Sequence, residues 1–559
     1  MLLKAEIDSK TLGSKKLFEQ LDISIEQGEQ IAIIGRNGVG KTTLLRMLAQ
    51  EDDDFDGSVS TSRGTTVVMT AQEHADAHSQ DCLSYILSAL PSYTKLHTII
   101  ETYPGHMGSD ISKINKYSEA IEQFDHLGYY TIEQKVINAL QHYQIPEASA
   151  RGPLSALSGG QKRFVELVKV QESNASLALI DEPTNHMDYI AKDAFIDWMK
   201  AAKSTLVIVT HDRDVLNEAD RIIEIKDKKA FSYRGNYKAY LKMNSANTVA
   251  GMSQYEVAQQ TITNLKKQIA YARSKKASWG GTADKKNPFV VMEERAKKQL
   301  RELEKIAKPS FWIDQNSATE LNHKMTERYS KYKDTNIKLV GMDAQHRRQE
   351  LLKVTGLSLG YGQPLFSDVS FSVSAGDRVR LHGRNGAGKT TLLKYILAKS
   401  QEASAGSNCF DGEIEINTKT RFGVYEQEID QKYFKVTLAE AIEQVYNEKG
   451  QKIADQKIRQ LLSSYLFDAS IDYRQLVGSL SGGQKARFQI ISMLASEPNL
   501  LILDEPTNHL DLPSIEELEL ALQNYTGAII YISHDSYFVS KLAGAEIKIA
   551  PSQVIADAN

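Results

Sequence analysis

Cysteine is nearly absent from this chain of 559 residues, which contains only Cys82 and Cys409. Two thiols so far apart in sequence provide neither a disulfide framework nor the ligands of a thiolate zinc or iron–sulfur site. The chain also lacks any run of about 18 apolar residues, and its first 30 residues show no charged-then-apolar signal segment. We therefore expect a soluble, cytoplasmic protein from a reducing compartment.

A large excess of charge of either sign is also missing, because 67 Lys and Arg nearly balance 71 Asp and Glu. A net charge of −4 by itself favours no class of partner. The charge is unevenly distributed, however. Residues 241–340 hold 19 Lys and Arg against 10 Asp and Glu, a local charge of +9, so the rest of the chain carries −13. The chain thus contains one basic segment within an otherwise acidic protein.

The chain is organised around a duplicated glycine-rich stretch at residues 35–43 and 383–391. Each copy follows a strand-like run and opens a Leu-rich helical run, as a phosphate-binding loop does. The glycines let backbone N–H groups surround a phosphate, the lysine adds positive charge, and the first threonine offers its hydroxyl to Mg²⁺. The predicted nucleotide-binding residues of the two loops are Gly35, Arg36, Asn37, Gly38, Val39, Gly40, Lys41, Thr42, Thr43, Gly383, Arg384, Asn385, Gly386, Ala387, Gly388, Lys389, Thr390 and Thr391.

Acidic residues and histidines recur in the same order after each loop. Short apolar runs at 177–180 and 500–503 end in an Asp-Glu pair, which is typical of buried parallel strands that present carboxylates at their C-terminal ends. A nucleotide cleft needs a metal-holding carboxylate, a group that positions water and a sensor of the γ-phosphate. The predicted residues are Asp181, Asp504, Thr42 and Thr390 for Mg²⁺, Glu182 and Glu505 as general bases, and His211 and His534 as γ-phosphate contacts.

The spacing of these motifs locates an insertion. Glu182 and Glu505 are 323 residues apart, as are His211 and His534. Gln72 and Gln427, which precede these residues, are 355 residues apart, so the first copy carries 32 additional residues before its Ser-Gly-Gly-Gln stretch. We place this insertion at residues 90–125, within a helical subdomain at 82–150, and expect it to project from the surface.

The segment between the copies, residues 241–345, has a helical pattern. Apolar or small residues recur every three or four positions from 255 to 272 and from 292 to 306, which predicts two helices that pack on each other. Their connection at 274–288 contains four lysines and Trp279. Positive charge around an aromatic ring favours contact with nucleic acid. A solvated helical spacer between two domains is the alternative.

Together these motifs resemble the ATP-binding cassette superfamily over almost the whole chain. Gln72, Gln427, Asp188 and Asp511 complete the resemblance. It implies an ATPase with two clefts in which Gln72 and Gln427 also contact Mg²⁺, and two cassettes that close head to tail. Each phosphate loop would then face the Ser-Gly-Gly-Gln segment of the other cassette. This adds to the nucleotide site Ser158, Gly159, Gly160, Gln161, Ser481, Gly482, Gly483 and Gln484.

The repeated Asp-Glu-Pro-Thr-Asn-His and the long charged linker resemble one branch, the ABC-F family. The resemblance implies an α/β fold: two P-loop ATP-binding cassette domains in tandem, residues 1–240 and 346–559, joined by a helical hairpin linker at 241–345. Members bind the ribosomal E site and extend the linker tip toward the P-site tRNA and peptidyl-transferase centre. The implied partners are therefore rRNA and P-site tRNA, without a membrane subunit, and the implied state is a monomer with intramolecular cassette closure.

Two functions within this family stay open, the tuning of translation and the displacement of ribosome-targeting antibiotics. Two other classes remain as alternatives. One is the ATPase component of a transporter that recruits separate membrane subunits, and the other is a DNA-associated ATPase that uses the basic linker on a duplex. The second lacks a recognisable groove-reading motif.

Two features depart from the family pattern. Aligning Leu365-Phe366 with Leu17-Phe18 places Tyr361, a candidate ring for stacking on adenine, opposite Gly13. We therefore predict weaker nucleotide affinity in the first cleft. The strand at 378–382 is unusually polar for a buried strand, and the sequence gives no reason for this.

Overall fold

The computed structural model describes residues 1–13, 15–71, 80–106, 108, 110–185, 187–278, 288–304, 349–401, 406, 408–425, 429–465, 467, 471–480, 482–508 and 510–551. Gln72, Trp279, Gln427 and Ser481 lie outside the described residues. The chain divides into two compact units, Lys238–Asp334 and a unit that contains both cassettes. The domain bounds predicted at 240 and 345 remain predictions. Among the described residues, no helix is long and apolar enough to span a bilayer.

Two sheets form the frame of the first cassette. Its strands are β1 (Leu3–Leu12), β2 (Lys15–Ile25), β3 (Gln30–Gly35), β4 (Asp56–Thr61), β5 (Val67–Met69), β6 (Leu177–Asp181), β7 (Thr205–Val209), β8 (Arg221–Lys226) and β9 (Lys229–Arg234). An antiparallel sheet has the order β2-β1-β4, and a mainly parallel sheet has the order β5-β6-β7-β3-β8-β9. Since β3, β6 and β7 are adjacent and parallel, their carboxyl ends meet at one edge. This edge carries the phosphate loop, the Asp-Glu pair and the histidine.

Helices cover this frame and form the predicted subdomain. They are α1 (Lys41–Leu48), α2 (Cys82–Ser88), α3 (Tyr93–Thr102), α4 (Ile111–His126), α5 (Ile132–His142), α6 (Glu147–Ala150), α7 (Gly159–Glu172), α8 (Tyr189–Ala201) and α9 (Arg213–Glu218). Helices α3 and α4 account for most of the insertion at 90–125. Tyr93 and Phe124 from these two helices are buried in the subdomain core, with ring centroids 5.6 Å apart. The segment that the sequence predicts as an insertion thus contains a pair of helices anchored by aromatic packing.

Two long helices form the described part of the unit Lys238–Asp334, namely α10 (Tyr237–Ser278) and α11 (Pro288–Glu304). Leu265, Ile269 and Ala296 form a small buried cluster between them. At the far end of α10, Arg273 Nε lies 3.0 Å from Glu293 Oε1 on α11. The described residues therefore form the packed helix pair that the sequence predicts.

The second cassette repeats the frame of the first. Its strands are β10 (Glu350–Tyr361), β11 (Gln363–Ser374), β12 (Arg378–His382), β13 (Asn408–Ile416), β14 (Phe422–Tyr425), β15 (Leu500–Asp504), β16 (Ala528–Ile532) and β17 (Ala545–Lys548). Its helices are α12 (Lys389–Ser400), α13 (Leu438–Glu448), α14 (Asp455–Ser464), α15 (Gly482–Leu494), α16 (Leu512–Asn524) and α17 (Ser536–Leu542). The sheets have the orders β11-β10-β13 and β14-β15-β16-β12-β17.

The polar strand β12 has a structural explanation. Its two apolar residues are buried in the core, whereas the arginines that alternate with them bind backbone carbonyls. Arg378 Nη1 donates to Gly527 O at 2.6 Å, and Arg380 Nη2 donates to Ser533 O at 3.1 Å. The polar face of β12 therefore fixes the loops at both ends of β16, one of which leads to His534.

Candidate active site

Each phosphate loop joins a central strand to the N-terminus of a helix. Gly40, which precedes α1, has a φ of 103°, and Gly388, which precedes α12, has a φ of 93°. A Cβ at Gly40 would lie 2.8 Å from the Phe18 ring, and one at Gly388 would lie 2.7 Å from the Phe366 ring. Only glycine fits these two positions. The helix N-termini consequently lie at the loops, where backbone N–H groups favour an anion.

The loop lysines are buried and bind the carbonyls of their own loops. Lys41 Nζ donates to Gly35 O at 2.7 Å, and Lys389 Nζ donates to Gly383 O at 2.7 Å. Lys41 Nζ also lies 2.9 Å from His211 Nε2. Burial lowers the pKa of both lysines. A phosphate would stabilise the charged form of each lysine, so both positions favour anion binding.

A threonine hydroxyl meets a carboxylate at the start of each loop helix. Thr42 Oγ1 donates to Asp181 Oδ2 at 2.7 Å, and Thr390 Oγ1 donates to Asp504 Oδ2 at 2.9 Å. Mg²⁺ prefers such hard oxygen ligands and completes its shell with water and phosphate oxygens. The described residues include no group of three or more His, Cys, Asp or Glu that could hold a metal by itself. These pairs therefore fit Mg²⁺ that arrives with a nucleotide.

The two predicted general bases share a strained backbone conformation. Glu182 has a φ of 46° and Glu505 a φ of 47°, in the left-handed region that glycine favours. The neighbouring strand holds each residue there, because Glu182 N donates to Val209 O at 2.8 Å and Glu505 N donates to Ile532 O at 3.0 Å. Strain maintained by the fold is typical of functional sites. Burial raises the pKa of both carboxyl groups to about 7, which suits a general base.

Each of these glutamates contacts the predicted histidine. Glu182 Oε1 lies 3.4 Å from His211 Nε2, and Glu505 Oε1 lies 3.3 Å from His534 Nε2. Burial lowers the pKa of His211 well below its usual value and that of His534 to about 3. Both imidazoles are therefore neutral at pH 7, and each has one N–H to donate and one nitrogen to accept.

The cassettes contact each other at the clefts through a matched pair of hydrogen bonds. The backbone N–H of Asn385 donates to Asp188 Oδ2 at 3.2 Å, and that of Asn37 donates to Asp511 Oδ2 at 3.1 Å. Both aspartates also cap a helix, since Asp188 precedes α8 and Asp511 precedes α16. Because the two contacts join repeat-related residues, the cassettes are arranged head to tail.

The first Ser-Gly-Gly-Gln segment starts helix α7 with a capping box. Ser158 accepts from the backbone N–H of Gln161, whose side chain accepts from Ser158 N at 3.0 Å. Residues 158–161 line a cleft of about 1280 Å³ that also contains Lys41, Asn385 and Gly386. The segment thus lies in one cleft with residues of the second phosphate loop.

The second such segment is described only in part. Helix α15 begins at Gly482 and continues through Gly483, and Gln484 Nε2 donates to Asp472 Oδ1 at 3.2 Å. Ser481 lies outside the described residues. The predicted approach of this segment to the first phosphate loop stays a prediction.

The structure corrects the alignment at the candidate adenine end of the clefts. Tyr361 ends β10 and is followed by Gly362, with a φ of +73°. Leu12 ends β1 and is followed by Gly13, with a φ of +59°. The turn after β1 is one residue longer, so Leu12 and not Gly13 is the counterpart of Tyr361. Each lines its own cleft and is more than half exposed, at 62% and 59%, so the first cleft has an aliphatic side chain where the second has a ring.

Sequence reasoning missed the charged residues that join the cassettes beside the second cleft. Lys192 on α8 lines this cleft, and Arg213 begins α9 directly after the His211-Asp212 pair. Neither belongs to a repeated motif. The signal in the sequence is a departure from the repeat, because the 323-residue offset pairs Lys192 with Ile515 and Arg213 with Ser536.

Two clefts with the same loop, carboxylates and histidine, each at the carboxyl edge of a parallel sheet, define the class of a tandem ATP-binding cassette ATPase. The model of the ABC transporter family matches residues 18–185 and 366–508. The chain therefore belongs to that family, binds ATP and is an ATPase.

Relatives extend this result over the full length. The chain is 28% identical over 569 residues to the uncharacterized ABC transporter ATP-binding protein YfmR of Bacillus subtilis (strain 168), covering 99% of this chain and 82% of the relative. It is 26% identical over 549 residues to the ribosome protection protein VmlR of the same organism, covering 97% and 85%. These relatives are consistent with the ABC-F family. An archaeal recycling factor, aABCE1, solved in complex with the ribosomal stalk protein aP1, shares the fold with a TM-score of 0.56 at 16% identity, covering 97% of this chain and 87% of that one.

Proposed function

We propose that this protein is an ATP-hydrolysing ABC-F translation factor that binds the ribosome when its cassettes close on ATP. The observation that carries the proposal is the similarity to a ribosome protection protein over 97% of the chain. The basic linker supports it, since a segment with a net charge of +9 suits polyanionic rRNA and tRNA. The cytoplasmic location expected from the sequence agrees with such a partner.

In the second cleft, we assign the reaction to three side chains. Deprotonated Glu505 accepts a proton from the attacking water, neutral His534 donates its N–H to the γ-phosphate, and Lys389 balances the phosphate charge. Mg²⁺, held by Thr390, Asp504 and Gln427, would neutralise charge that develops on the phosphates. The same roles fall in the first cleft to Glu182, His211, Lys41, Thr42, Asp181 and Gln72.

Cassette closure would couple these clefts to the linker. ATP bound at one phosphate loop attracts the N-terminus of the opposing helix α7 or α15, because helix N-termini favour anions. The closed form holds α10 and α11 in a shape that enters the ribosomal E site and directs the tip toward the P-site tRNA and peptidyl-transferase centre. Hydrolysis removes the bridging γ-phosphate, so the cassettes reopen and the protein leaves the ribosome.

The test is co-sedimentation of the Glu182→Gln, Glu505→Gln double variant with ribosomes, with and without ATP, at near-physiological salt. This salt suppresses non-specific charge attraction. The double variant should bind ATP without hydrolysing it and should pellet with ribosomes only when ATP is present. Adding Lys41→Ala and Lys389→Ala gives the matched control, which should lose ATP binding and remain in the supernatant.

Failure of the double variant to pellet, when ATP binding has been measured, would overturn the translation proposal. Equal pelleting with and without ATP would overturn the ATP-driven cycle. If pelleting depends on ATP, growth of an expressing strain on ribosome-targeting antibiotics separates antibiotic displacement from general tuning of translation.

A further inference from the structure

The loops that carry the two predicted histidines meet between the cassettes at a group of charged residues. Lys192, on α8 of the first cassette, is 6% exposed. Its Nζ lies 2.5 Å from Asp214 Oδ2 and 3.5 Å from Asp212 Oδ2, both just after His211. The same Nζ donates to the backbone carbonyl of His534, in the second cassette, at 3.1 Å. One cation thus contacts both histidine loops.

The backbone of His534 connects this lysine to the predicted general base. Its N–H donates to Glu505 Oε2 at 3.4 Å, while its carbonyl accepts from Lys192. Two residues further on, Ser536 Oγ lies 2.7 and 2.8 Å from the carboxylate oxygens of Asp214. The second histidine loop is therefore held by the first cassette on one side and by Glu505 on the other.

A buried arginine connects the place where the two histidine loops meet, here called the junction, to the rest of the second cassette. Arg213 Nη1 donates to Glu519 Oε1 on α16 at 2.6 Å, and its guanidinium carbon lies 5.3 Å from the Tyr537 ring centroid. Both Arg213 and Glu519 are buried. Burial acts against the charged form of Lys192, but Asp212 and Asp214 more than offset it, so the pKa of the lysine is raised. Lys192 is consequently held in its charged form at a desolvated place, whereas burial raises the pKa of Asp212 and of Glu519.

Lys192 and Asp214 have no charged counterparts at the equivalent positions of the repeat, although the cassettes are arranged head to tail. The 323-residue offset replaces Lys192 by Ile515 and Asp214 by Tyr537. Ile515 has no donor for the carbonyl of His211, and Tyr537 has no carboxylate to hold a lysine. The backbone carbonyl of His534 in the second cleft thus accepts a hydrogen bond from a side chain of the first cassette. The corresponding residue of the second cassette, Ile515, cannot donate one to His211 in the first cleft.

We propose that Lys192 is a positioning residue for ATP hydrolysis in the second cleft, where it holds the backbone of His534 and through it the orientation of Glu505. This rests on the proposed roles of Glu505 and His534. A charge-assisted hydrogen bond to a carbonyl at a buried site defines the position of that carbonyl well. Its loss lets the histidine loop move relative to the phosphate loop, and small misplacements of reacting groups slow an oriented reaction strongly.

The test measures ATP hydrolysis by one cleft at a time. Glu182→Gln leaves only the second cleft active, and Glu505→Gln leaves only the first. Adding Lys192→Met should lower kcat of the second cleft by about tenfold, with KM for ATP changed less than about twofold. It should lower kcat of the first cleft less, because beside His211 the lysine contacts the side chains of Asp212 and Asp214 and not the backbone of the histidine. Lys192→Arg should restore most of the second-cleft rate.

Two further variants separate positioning from folding. Lys200→Met removes another lysine of α8, whose ion pair with Glu218 at 3.1 Å stays within the first cassette, and should change neither cleft. Lys192→Met with Asp214→Asn also removes the carboxylate nearest to the lysine, which is 28% exposed, and should still slow the second cleft more than the first.

Equal losses in both clefts, or no loss in the second, would overturn the proposal. A wild-type rate in the Glu182→Gln, Glu505→Gln double variant would instead overturn the assignment of the general bases on which it rests. Neither result depends on ribosome binding, so the translation proposal is tested separately.

Discussion

The two clefts should differ in their affinity for ATP, because their candidate adenine ends carry different side chains. Tyr361 lines the second cleft, and Leu12 occupies the corresponding place in the first. Stacking of a base on an aromatic ring contributes about 1 to 3 kcal/mol relative to alanine. Leucine retains part of the apolar contact, so we take the lower end of this range, about 1 kcal/mol, which corresponds to about fivefold in Kd.

The perturbation is a reciprocal exchange, Tyr361→Leu and Leu12→Tyr. We expect Tyr361→Leu to raise the Kd of the second cleft for ATP about fivefold, and Leu12→Tyr to lower that of the first cleft about fivefold. Leu12 is the position to change, because a side chain at Gly13 would be strained at its φ of +59°. Both exchanged side chains are largely exposed, so neither substitution should disturb the core.

The assay is calorimetric titration with ATP in the background of Glu182→Gln and Glu505→Gln. Lys389→Ala isolates the first cleft, and Lys41→Ala isolates the second. Tripolyphosphate, which has no base, is the matched control ligand, and its affinity should not respond to either exchange. Equal ATP affinities of the two isolated clefts, or exchanges that alter ATP and tripolyphosphate binding alike, would refute the reasoning.

Two further predictions concern buried carboxylates. Burial raises the pKa of Glu182 and Glu505 to about 7, and a general base acts when it is deprotonated. The plot of kcat against pH should therefore rise across about pH 7, and the histidines, which are neutral in this range, should add no further titration. A flat profile between pH 6 and 8 would contradict this. Glu166 is buried and accepts from Ala71 N at 2.7 Å while pairing with Lys169 at 2.5 Å. Glu166→Gln should therefore lower the free energy of unfolding by about 3 to 5 kcal/mol in urea titrations, and adding Lys169→Met should recover part of the loss; an unchanged midpoint would show that the pair contributes nothing.

The duplicated clefts could be predicted from the sequence because their chemistry depends on local backbone geometry. A left-handed glycine before a helix, a carboxylate at a strand end and a histidine after the next strand each leave a pattern within a few residues. The fixed offset of 323 residues then related the two copies. The paired linker helices were predictable from their short apolar period, whereas the insertion was located by the difference in motif spacing, 355 against 323 residues.

What the sequence could not provide depends on contacts between distant segments. Arg213 and Glu519 are 306 positions apart, and no periodicity links them. The polarity of β12 became clear only when its arginines were seen to bind loop carbonyls at the ends of β16. The misplacement of Tyr361 opposite Gly13 arose because a turn with one additional residue shifts an ungapped alignment, and strand pairing resolves such a shift.

Both differences between the clefts give the second cleft a contact that the first cleft lacks. At the base end, the second cleft has the ring of Tyr361 where the first has Leu12. At the phosphate end, His534 is held by Lys192, whereas the repeat places Ile515 opposite His211. Burying a second lysine with its carboxylates at the other histidine would add a further desolvation cost to a junction that already contains several buried charges. One buried lysine at the histidine loops instead of two therefore avoids that cost, and the two clefts of this chain share their reacting groups while differing in what holds those groups in place.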